Sequence, residues 1–217
     1  MGRTIVVDFD GTITEHDTLI AIEEEFGDPA EIARLDGLFD EGKLMLREEI
    51  TGKFEHVHAP FETVRDWVLE HARVRPGFGH LVEIARQRGW RVVVVSSGFE
   101  ELIRPVLARE GIDVDLRANR VDTSAGNWRV IWTYGDTCDT CGESCKRSLV
   151  RELAGEDEVV YVGDGYSDRC AARASDVVFA TKGLATYLEQ ENVRFLRFDD
   201  FHDVVRGLRR YSGSEAG

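Results

Sequence analysis

Short runs of apolar, β-branched residues alternate along the chain with longer segments of helical periodicity. The runs lie at residues 4–7, 92–95, 159–162 and 177–179, and they are apolar almost throughout. Such runs are typical of strands that are buried on both faces of a parallel sheet. Helices are predicted at residues 78–88, 100–110, 146–153 and 167–174. The repeated order of strand and helix predicts an α/β fold with a doubly wound, Rossmann-like parallel sheet.

A long interruption separates the first two strands: they are about 80 residues apart, whereas a connection in an α/β unit usually needs only a few residues outside its helix. Residues 17–73 read as mostly helical, with breaks at 27–29, 42 and 58–60. We therefore predict a helical cap, residues 16–74, inserted into a core of residues 1–15 and 75–212. Residues 213–217 are predicted to be a frayed tail. Residues 123–127 are turn formers between two strand-like runs and predict a small β-hairpin.

Composition and charge narrow the class of protein. The 217 residues include 27 Lys and Arg against 41 Asp and Glu, which gives a formal charge of −14. So negative a chain is a poor fit for nucleic acid or for an anionic membrane, because both attract a positive field. No run approaches the roughly 20 apolar residues of a membrane span, and the chain enters a strand without a signal-peptide core. We expect a cytoplasmic protein, monomeric or homodimeric, that acts on a small molecule.

Two carboxylates leave the first strand together, in Asp8-Phe9-Asp10-Gly11-Thr12. Ligands of open α/β sheets bind at the carboxyl ends of strands. Alternate residues of a strand point to opposite faces, so the turn that Gly11 permits is needed to bring Asp10 beside Asp8. Two solvated turn aspartates would explain the pattern, but a nucleophile paired with an acid/base is the interpretation that we favour.

The other strand ends carry complementary groups. The second strand ends in Ser96-Ser97-Gly98, a hydroxyl and backbone N–H cradle suited to an anion. The third ends in Gly-Asp-Gly-x-x-Asp, with Asp164 and Asp168 four residues apart. Carboxylates that converge from two strand ends need a cation to stay ionised, and this set suits Mg²⁺. Lys146, at the start of a helix, would by itself be read as a solvated lysine.

The ordered set, Asp-x-Asp, Ser, Lys and Gly-Asp-Gly-x-x-Asp, resembles the haloacid dehalogenase superfamily of aspartate-nucleophile phosphatases over roughly residues 5–184. The resemblance implies that Asp8 is the nucleophile and Asp10 the general acid and base. Lys146 would neutralise charge on the phosphoryl group. The helical insert resembles the cap that this family places over its active site.

The same resemblance implies the remaining roles in the site. Mg²⁺ would be bound by Asp8, Asp10 and Asp164, while Asp168 would orient the site from outside these ligands. The residues implied to bind the substrate phosphate are Thr12, Ser96, Ser97 and Gly98.

The phosphate ester is less closely defined by the residues. The chain resembles phosphoserine phosphatases, but where they use a cap arginine to bind the substrate carboxylate this chain has Thr51, with Arg47 as the only substitute. Trp132 followed by a cysteine-rich loop and Lys146 resembles the methionine-salvage branch, whose substrate is 2-hydroxy-3-keto-5-methylthiopentenyl-1-phosphate. That substrate is the one we expect. Phosphoserine and phosphocholine or phosphoethanolamine remain alternatives, as do a phosphotransferase and a non-catalytic protein that binds a phosphorylated metabolite.

Three cysteines stand immediately before the lysine, Cys138, Cys141 and Cys145. They suit either a structural Zn²⁺ site, completed by Cys170 or a histidine, or reduced thiols that are sensitive to oxidation.

Overall fold

The computed structural model describes residues 2–134, 138–143 and 145–213. Within these residues, seven strands form one sheet: β1 Arg3–Val7, β2 Arg91–Phe99, β3 Asp115–Asp122, β4 Arg129–Ile131, β5 Glu158–Gly163, β6 Val177–Ala180 and β7 Leu196–Arg197. The strand order is β4-β3-β2-β1-β5-β6-β7, and only the β3–β4 pair is antiparallel. The predicted parallel α/β sheet and its hairpin are confirmed.

The helices fill the intervals between these strands. They are α1 Thr18–Phe26, α2 Pro29–Asp40, α3 Leu46–Glu55, α4 Phe61–His71, α5 Phe78–Gln87, α6 Glu100–Arg109, α7 Arg147–Ala154, α8 Arg169–Ala172, α9 Lys182–Gln190 and α10 Phe201–Gly213. The helix predicted at residues 167–174 is shorter than expected, because a single 3-10 turn, Tyr166–Asp168, precedes α8. Of the predicted tail, only Gly213 lies within the described residues. Across the described part of the chain, no helix has both the length and the apolar character needed to cross a bilayer.

Both faces of the sheet are buried, as the apolar strands predict. Ile5 and Val7 of β1 belong to one apolar cluster with residues of α5, α6 and α10, whereas Val6 belongs to a second cluster with residues of α7, α8 and α9. Successive side chains of a strand point to opposite faces, so β1 contributes to both clusters. Its carboxyl end is thereby held rigidly in the centre of the sheet.

Two neighbouring chain segments connect the inserted helices α1 to α4 to the sheet. Thr14 and Val74 form an antiparallel bridge there. Beside it, the guanidinium of Arg75 donates to the carbonyl oxygens of Thr12 at 2.9 Å and Gly11 at 3.0 Å. Arg75 therefore supports the loop that carries Asp8 and Asp10. The limits of the cap and core at residues 15/16 and 74/75 stay a prediction.

An aromatic cluster joins the inserted helices to the sheet. Trp128, which precedes β4, packs between Phe54 of α3 at 5.9 Å and Phe61 of α4 at 5.8 Å, measured between ring centroids. Phe54 in turn lies edge-on to Phe99 of β2 at 4.6 Å. The indole N–H of Trp128 donates to the carbonyl of Ala59 at 2.9 Å, so the one polar group of this buried side chain has a hydrogen-bond acceptor.

Replacing Trp128 with alanine should lower the free energy of unfolding by about 3–5 kcal/mol, because it opens a large cavity and orphans the carbonyl of Ala59. Chemical denaturation followed by circular dichroism measures the loss. Ile131→Ala is the matched control in the same hairpin, since Ile131 is 40% exposed, and it should change stability by about 0.5 kcal/mol or less. Equal losses in the two variants would contradict a joining role for the cluster.

Candidate active site

The candidate site lies where the strand order of the sheet reverses. Asp8 follows β1, Ser96 lies near the end of β2, and Asp164 follows β5, and these three strands are neighbours in the sheet. The chain leaves β1 in one direction toward β2 and places β5 on the opposite side. Such a switch point opens a crevice at the carboxyl ends of the strands. The predicted residues therefore meet at the position where α/β proteins bind ligands.

Lys146 is buried between two carboxylates. Its ammonium donates to Asp8 and, at 2.7 Å, to Asp168. Asp168 also accepts from the hydroxyl of Tyr161 at 2.7 Å and from the backbone N–H groups of Asp164 and Gly165 at 2.9 and 3.0 Å. Lys146 is only 1% exposed and Asp168 is fully buried. Asp168 thus anchors both the lysine and the turn after β5, and the orienting role in catalysis stays a prediction.

The buried charges shift the ionisation of these groups. Burial, followed by the charge of Asp168, raises the pKa of Asp8 well above its ordinary value, although Lys146 acts in the opposite direction. Burial alone would lower the pKa of Lys146, but the carboxylates of Asp168 and Asp8 raise it. The lysine therefore stays charged beside its two partners.

The Asp10 carboxyl group is turned toward hydroxyl and backbone donors. Its Oδ1 accepts from the hydroxyl of Thr18 and from the Thr18 N–H at 3.2 Å, and its Oδ2 accepts from the hydroxyl of Ser96 at 3.0 Å. Burial raises the pKa of Asp10, even though these hydrogen bonds lower it. Thr18, the first residue of α1, is a site residue that no sequence motif marks.

Asp164 is held by a hydroxyl and a second lysine. Thr12 donates its hydroxyl to Asp164 Oδ1 at 3.1 Å, and Lys182 Nζ lies 3.2 Å from Asp164 Oδ2. Gly11 has a φ of +73°, and a Cβ atom there would lie 2.2 Å from Asp164 Oδ2. A glycine is needed at this point because both the backbone angle and the close carboxylate exclude a side chain. Lys182, the first residue of α9, is a further site residue that the sequence analysis missed.

The donor set fits a divalent cation. Oxygen atoms of Asp8, Asp164 and Asp168 lie within 4.8 Å of one another, whereas the oxygens of Asp10 face Thr18 and Ser96. The acids that converge here are Asp8, Asp10, Asp164 and Asp168, with four formal negative charges. Lys146 and Lys182 carry two positive charges, so these six residues have a net formal charge of −2. Hard carboxylate oxygens in this number suit Mg²⁺. Asp168 is already saturated by its four donors, so Asp8 and Asp164 are the better placed ligands.

A cavity of about 480 Å³ opens onto these groups. Its acidic end is formed by the carboxylates of Asp8, Asp10 and Asp164, with the ammonium group of Lys146 beside them. Of the residues predicted to contact the phosphate, Ser97 lines the cavity. The hydroxyls of Thr12 and Ser96 instead donate to Asp164 and Asp10, and Gly98 donates its N–H to Ser96 at 2.8 Å. Their direct contact with a phosphate stays a prediction.

The opposite wall of the cavity is formed by the inserted helices. The expectation that Arg47 substitutes here for the cap arginine of phosphoserine phosphatases is wrong. Arg47 does not reach the cavity, because its guanidinium stacks on Trp132, 5.3 Å from the ring centroid. Thr51 also faces Trp132, whose indole N–H donates to its hydroxyl at 3.0 Å. The cation that α3 directs into the cavity is Lys53. Residues 46, 49, 50 and 53 share one face of a helix at spacings of three and four, and residues 47 and 51 lie on another.

Lys53 is surrounded by acids. Its ammonium lies 2.5 Å from Asp36, 2.8 Å from Glu49 and 3.2 Å from Glu23. Burial raises the pKa of Glu23 to about 7, although Lys53 opposes this shift. The rest of this wall is apolar, with Leu19, Ile20, Leu46 and Ile50. The cap wall therefore presents apolar surface around a cation that is already paired.

The three cysteines of the loop before Lys146 also come together. The sulfur atoms of Cys138, Cys141 and Cys145 lie within 4.8 Å of one another and of Cys170 in α8.

The Asp17 carboxyl group caps α1 at the edge of the same cavity. It accepts from the N–H groups of Leu19 at 2.8 Å and Ile20 at 3.0 Å. Burial, together with the nearby charge of Asp10, raises the pKa of Asp17 to about 7. Another acid is thereby added to a region that already has an excess of negative charge.

Comparison with known proteins agrees with this geometry. Residues 5–173 match the family model of haloacid dehalogenase-like hydrolases. A 2-hydroxy-3-keto-5-methylthiopentenyl-1-phosphate phosphatase of Exiguobacterium sibiricum is 32% identical, over 96% of this chain and 97% of the relative. A phosphatase of the same name from Bacillus velezensis is 30% identical over 100% and 94%. The polyol phosphate phosphatase PYP1 of Saccharomyces cerevisiae is 31% identical over 97% and 94%.

Solved structures give the same fold. A phospho-aspartyl intermediate analogue of phosphoserine phosphatase superimposes with a TM-score of 0.73, covering 94% of this chain and 98% of the other, at 22% identity. A substrate-bound phosphoserine phosphatase complex superimposes with a TM-score of 0.72, covering 95% and 98%, at 20% identity. At these identities the similarity concerns the fold alone.

Asp17→Asn should stabilise the metal-free protein at high pH. The folded-state pKa of about 7 lies above the ordinary 3.8, so the charged carboxylate destabilises the folded state above pH 7, and this penalty vanishes as pH falls toward 4. Asparagine keeps the N-cap and removes the charge. Because solvent partly reaches this side chain, we expect a gain of about 1–2 kcal/mol, or roughly 3–6 °C in Tm, at about pH 8.

Thermal unfolding in the presence of a chelator, at about pH 5 and about pH 8, measures this gain. Asp28→Asn is the matched control, because Asp28 caps α2 in the same way but is exposed. A gain from Asp17→Asn that is equal at both pH values would contradict the charge argument.

Proposed function

The chain belongs to the family of haloacid dehalogenase-like hydrolases, and from that premise we propose that it is a Mg²⁺-dependent phosphatase of a small phosphorylated metabolite. The observation that carries the proposal is the convergence of Asp8, Asp10, Lys146 and Asp164 at one end of a single cavity. The substrate that we favour is 2-hydroxy-3-keto-5-methylthiopentenyl-1-phosphate, as in the relatives from Exiguobacterium sibiricum and Bacillus velezensis.

In the proposed first step, a carboxylate oxygen of Asp8 attacks the phosphorus atom and the ester P–O bond breaks. The product is an aspartyl-phosphate and an alcohol or enol. Lys146 offsets the negative charge that gathers between the nucleophile and the phosphoryl oxygens. Bound Mg²⁺, held by Asp8 and Asp164, would supply further positive charge at the transferring group.

Asp10 is suited to the proton transfers. Burial raises its pKa, which favours the protonated acid that the leaving oxygen requires. After the leaving group departs, the same carboxylate would accept a proton from the water that attacks the aspartyl-phosphate. Phosphate is released and Asp8 is regenerated. Thr18 and Ser96 support this role because their hydroxyls fix the orientation of the Asp10 carboxyl group.

The cap wall supports a substrate whose tail is uncharged. Glu23, Asp36 and Glu49 outnumber Lys53, so a substrate carboxylate would meet more negative than positive charge. Phosphoserine carries such a carboxylate. The apolar side chains of Leu19 and Ile50 offer surface for a methylthio group instead.

The first test is phosphate release in the presence of Mg²⁺ from a matched panel of esters. The panel holds the methylthiopentenyl enol-phosphate, phosphoserine, phosphocholine, a polyol phosphate and an aryl phosphate. We expect the enol-phosphate to exceed phosphoserine by about 100-fold in kcat/KM, which corresponds to about 2.7 kcal/mol of transition-state discrimination. Asp8→Asn is the blank and should release no phosphate above background.

The panel separates the possible failures. Hydrolysis of the aryl ester alone would uphold the phosphatase and contradict the proposed metabolite. Transfer of the phosphoryl group to an added alcohol instead of water would identify a phosphotransferase. Activity of the wild type no greater than that of Asp8→Asn would favour a protein that only binds its phosphorylated ligand.

The acids around Lys53 should decide against phosphoserine. The double variant Glu23→Gln/Glu49→Gln leaves the ammonium with Asp36 as its remaining partner and should raise the kcat/KM for phosphoserine relative to the enol-phosphate by about tenfold. Steady-state kinetics with both esters measures the ratio. Thr51→Arg is the matched control in the same helix, and because Thr51 faces Trp132 it should leave the ratio unchanged. A shift caused by Thr51→Arg and not by the double variant would contradict this view of the cap.

A further inference from the structure

Four cysteines form one compact cluster beside the candidate active site. Cys138, Cys141 and Cys145 come from the loop before α7, and Cys170 comes from α8. All four are free thiols, and their sulfur atoms lie within 4.8 Å of one another. In a tetrahedral zinc site the bonds of about 2.3 Å place the sulfurs about 3.8 Å apart, so only a small contraction is required.

The backbone of the loop holds three of these sulfurs in place. The Cys138 N–H donates to the carbonyl of Glu143 at 2.9 Å, and the Cys145 N–H donates to the same oxygen at 3.0 Å. The N–H of Gly142 closes the turn by donating to the carbonyl of Cys138 at 2.9 Å, with a φ of +75°. Backbone hydrogen bonds thus hold the Cys-x-x-Cys turn in shape. The spacing of its two cysteines is one that structural zinc sites use.

Two arginines place positive charge beside the cluster. The Nε atoms of Arg147 and Arg169 are buried and have no hydrogen-bond acceptor within the described part of the chain. Arg169 lines a cavity of about 160 Å³ together with Cys141, Cys145 and Cys170. Arg147 donates to Thr140 of the cysteine loop. Buried donors are normally satisfied, so these two N–H groups are available to an acceptor at the cluster.

We propose that Cys138, Cys141, Cys145 and Cys170 bind one structural Zn²⁺ ion. On binding, the four thiols release four protons and become thiolates, so the complex carries two negative charges. The guanidinium groups of Arg147 and Arg169 balance them. Soft thiolates select zinc over magnesium, and four protein ligands leave no open position for catalysis.

The ion would fasten together the two segments that meet at the lysine. Cys145 is the neighbour of Lys146 in the chain, and Cys170 lies two residues after Asp168. Lys146 and Asp168 are themselves joined at 2.7 Å. The loop also reaches the inserted helices, because Glu143 accepts from the N–H of Leu46 in α3 at 3.0 Å. The site therefore positions Lys146 from outside the active site, and this inference does not depend on which ester the protein hydrolyses.

Metal analysis of the full-length protein, expressed with added zinc and dialysed against a weak chelator, tests the proposal. We expect about one zinc ion per chain by inductively coupled plasma mass spectrometry. Replacement of zinc by Co²⁺ should give a thiolate-to-cobalt charge-transfer band and the strong visible bands of a tetrahedral site. Cys170→Ser should lose most of the metal and weaken the charge-transfer band, while circular dichroism reports that the variant is folded.

Two control variants make the result specific. Asp139→Asn changes an exposed side chain of the same loop and should retain the zinc. Asp8→Asn should also retain it, since Asp8 belongs to the acidic site. Four thiols that react freely with a thiol reagent in the folded protein, together with no uptake of zinc or cobalt, would overturn the proposal. Zinc that survives Cys170→Ser but is lost in Asp8→Asn would overturn it as well.

Discussion

The candidate site depends on one buried ammonium group. Lys146 lies between Asp8, which follows β1, and Asp168, which follows β5. Removing three charges from water costs several kcal/mol per ion, and this cost is offset only while the ion pairs and their hydrogen bonds keep their geometry. Tyr161 and two backbone N–H groups complete the coordination of Asp168. A shift of either strand end would leave a buried carboxylate without its partner, so the lysine fixes how the two strand ends face each other.

The same arrangement answers the electrostatic difficulty that an acidic phosphatase faces. A chain with a formal charge of −14 repels a phosphate dianion at a distance, and four of its carboxylates, those of Asp8, Asp10, Asp164 and Asp168, are gathered at the site itself. Positive charge must therefore be supplied locally. Lys146 and Lys182 provide two such charges, and the proposed Mg²⁺ would cancel the remaining two. Burial strengthens each of these interactions because little water is left to screen them.

The sequence predicts the core of the site better than its walls, for a physical reason. Asp8, Ser96 and Asp164 stand at strand ends, and parallel strands bring their ends to one edge whatever the helices do. The wall depends on the rotation of α3, which a motif does not specify. The spacing of Leu46, Ile50 and Lys53 carries that signal, whereas the position that corresponds to the cap arginine of phosphoserine phosphatases is Thr51, and its substitute Arg47 lies on the same face as Thr51. Thr18 and Lys182 act through contacts that form only in the folded chain, so no local pattern marks them.

Reaction type and substrate choice are consequently encoded in different parts of the molecule. Phosphoserine phosphatases superimpose on this chain with TM-scores of 0.72 and 0.73, so the fold is the same where the proposed substrates differ. What can distinguish the esters is the charge that the inserted helices direct into the cavity. Here Lys53 is held by Glu23, Asp36 and Glu49, and a cation with three acidic partners has little attraction left for a substrate carboxylate. The apolar surface beside it then favours an uncharged tail, because burying that tail removes apolar area from water without leaving a charge unpaired.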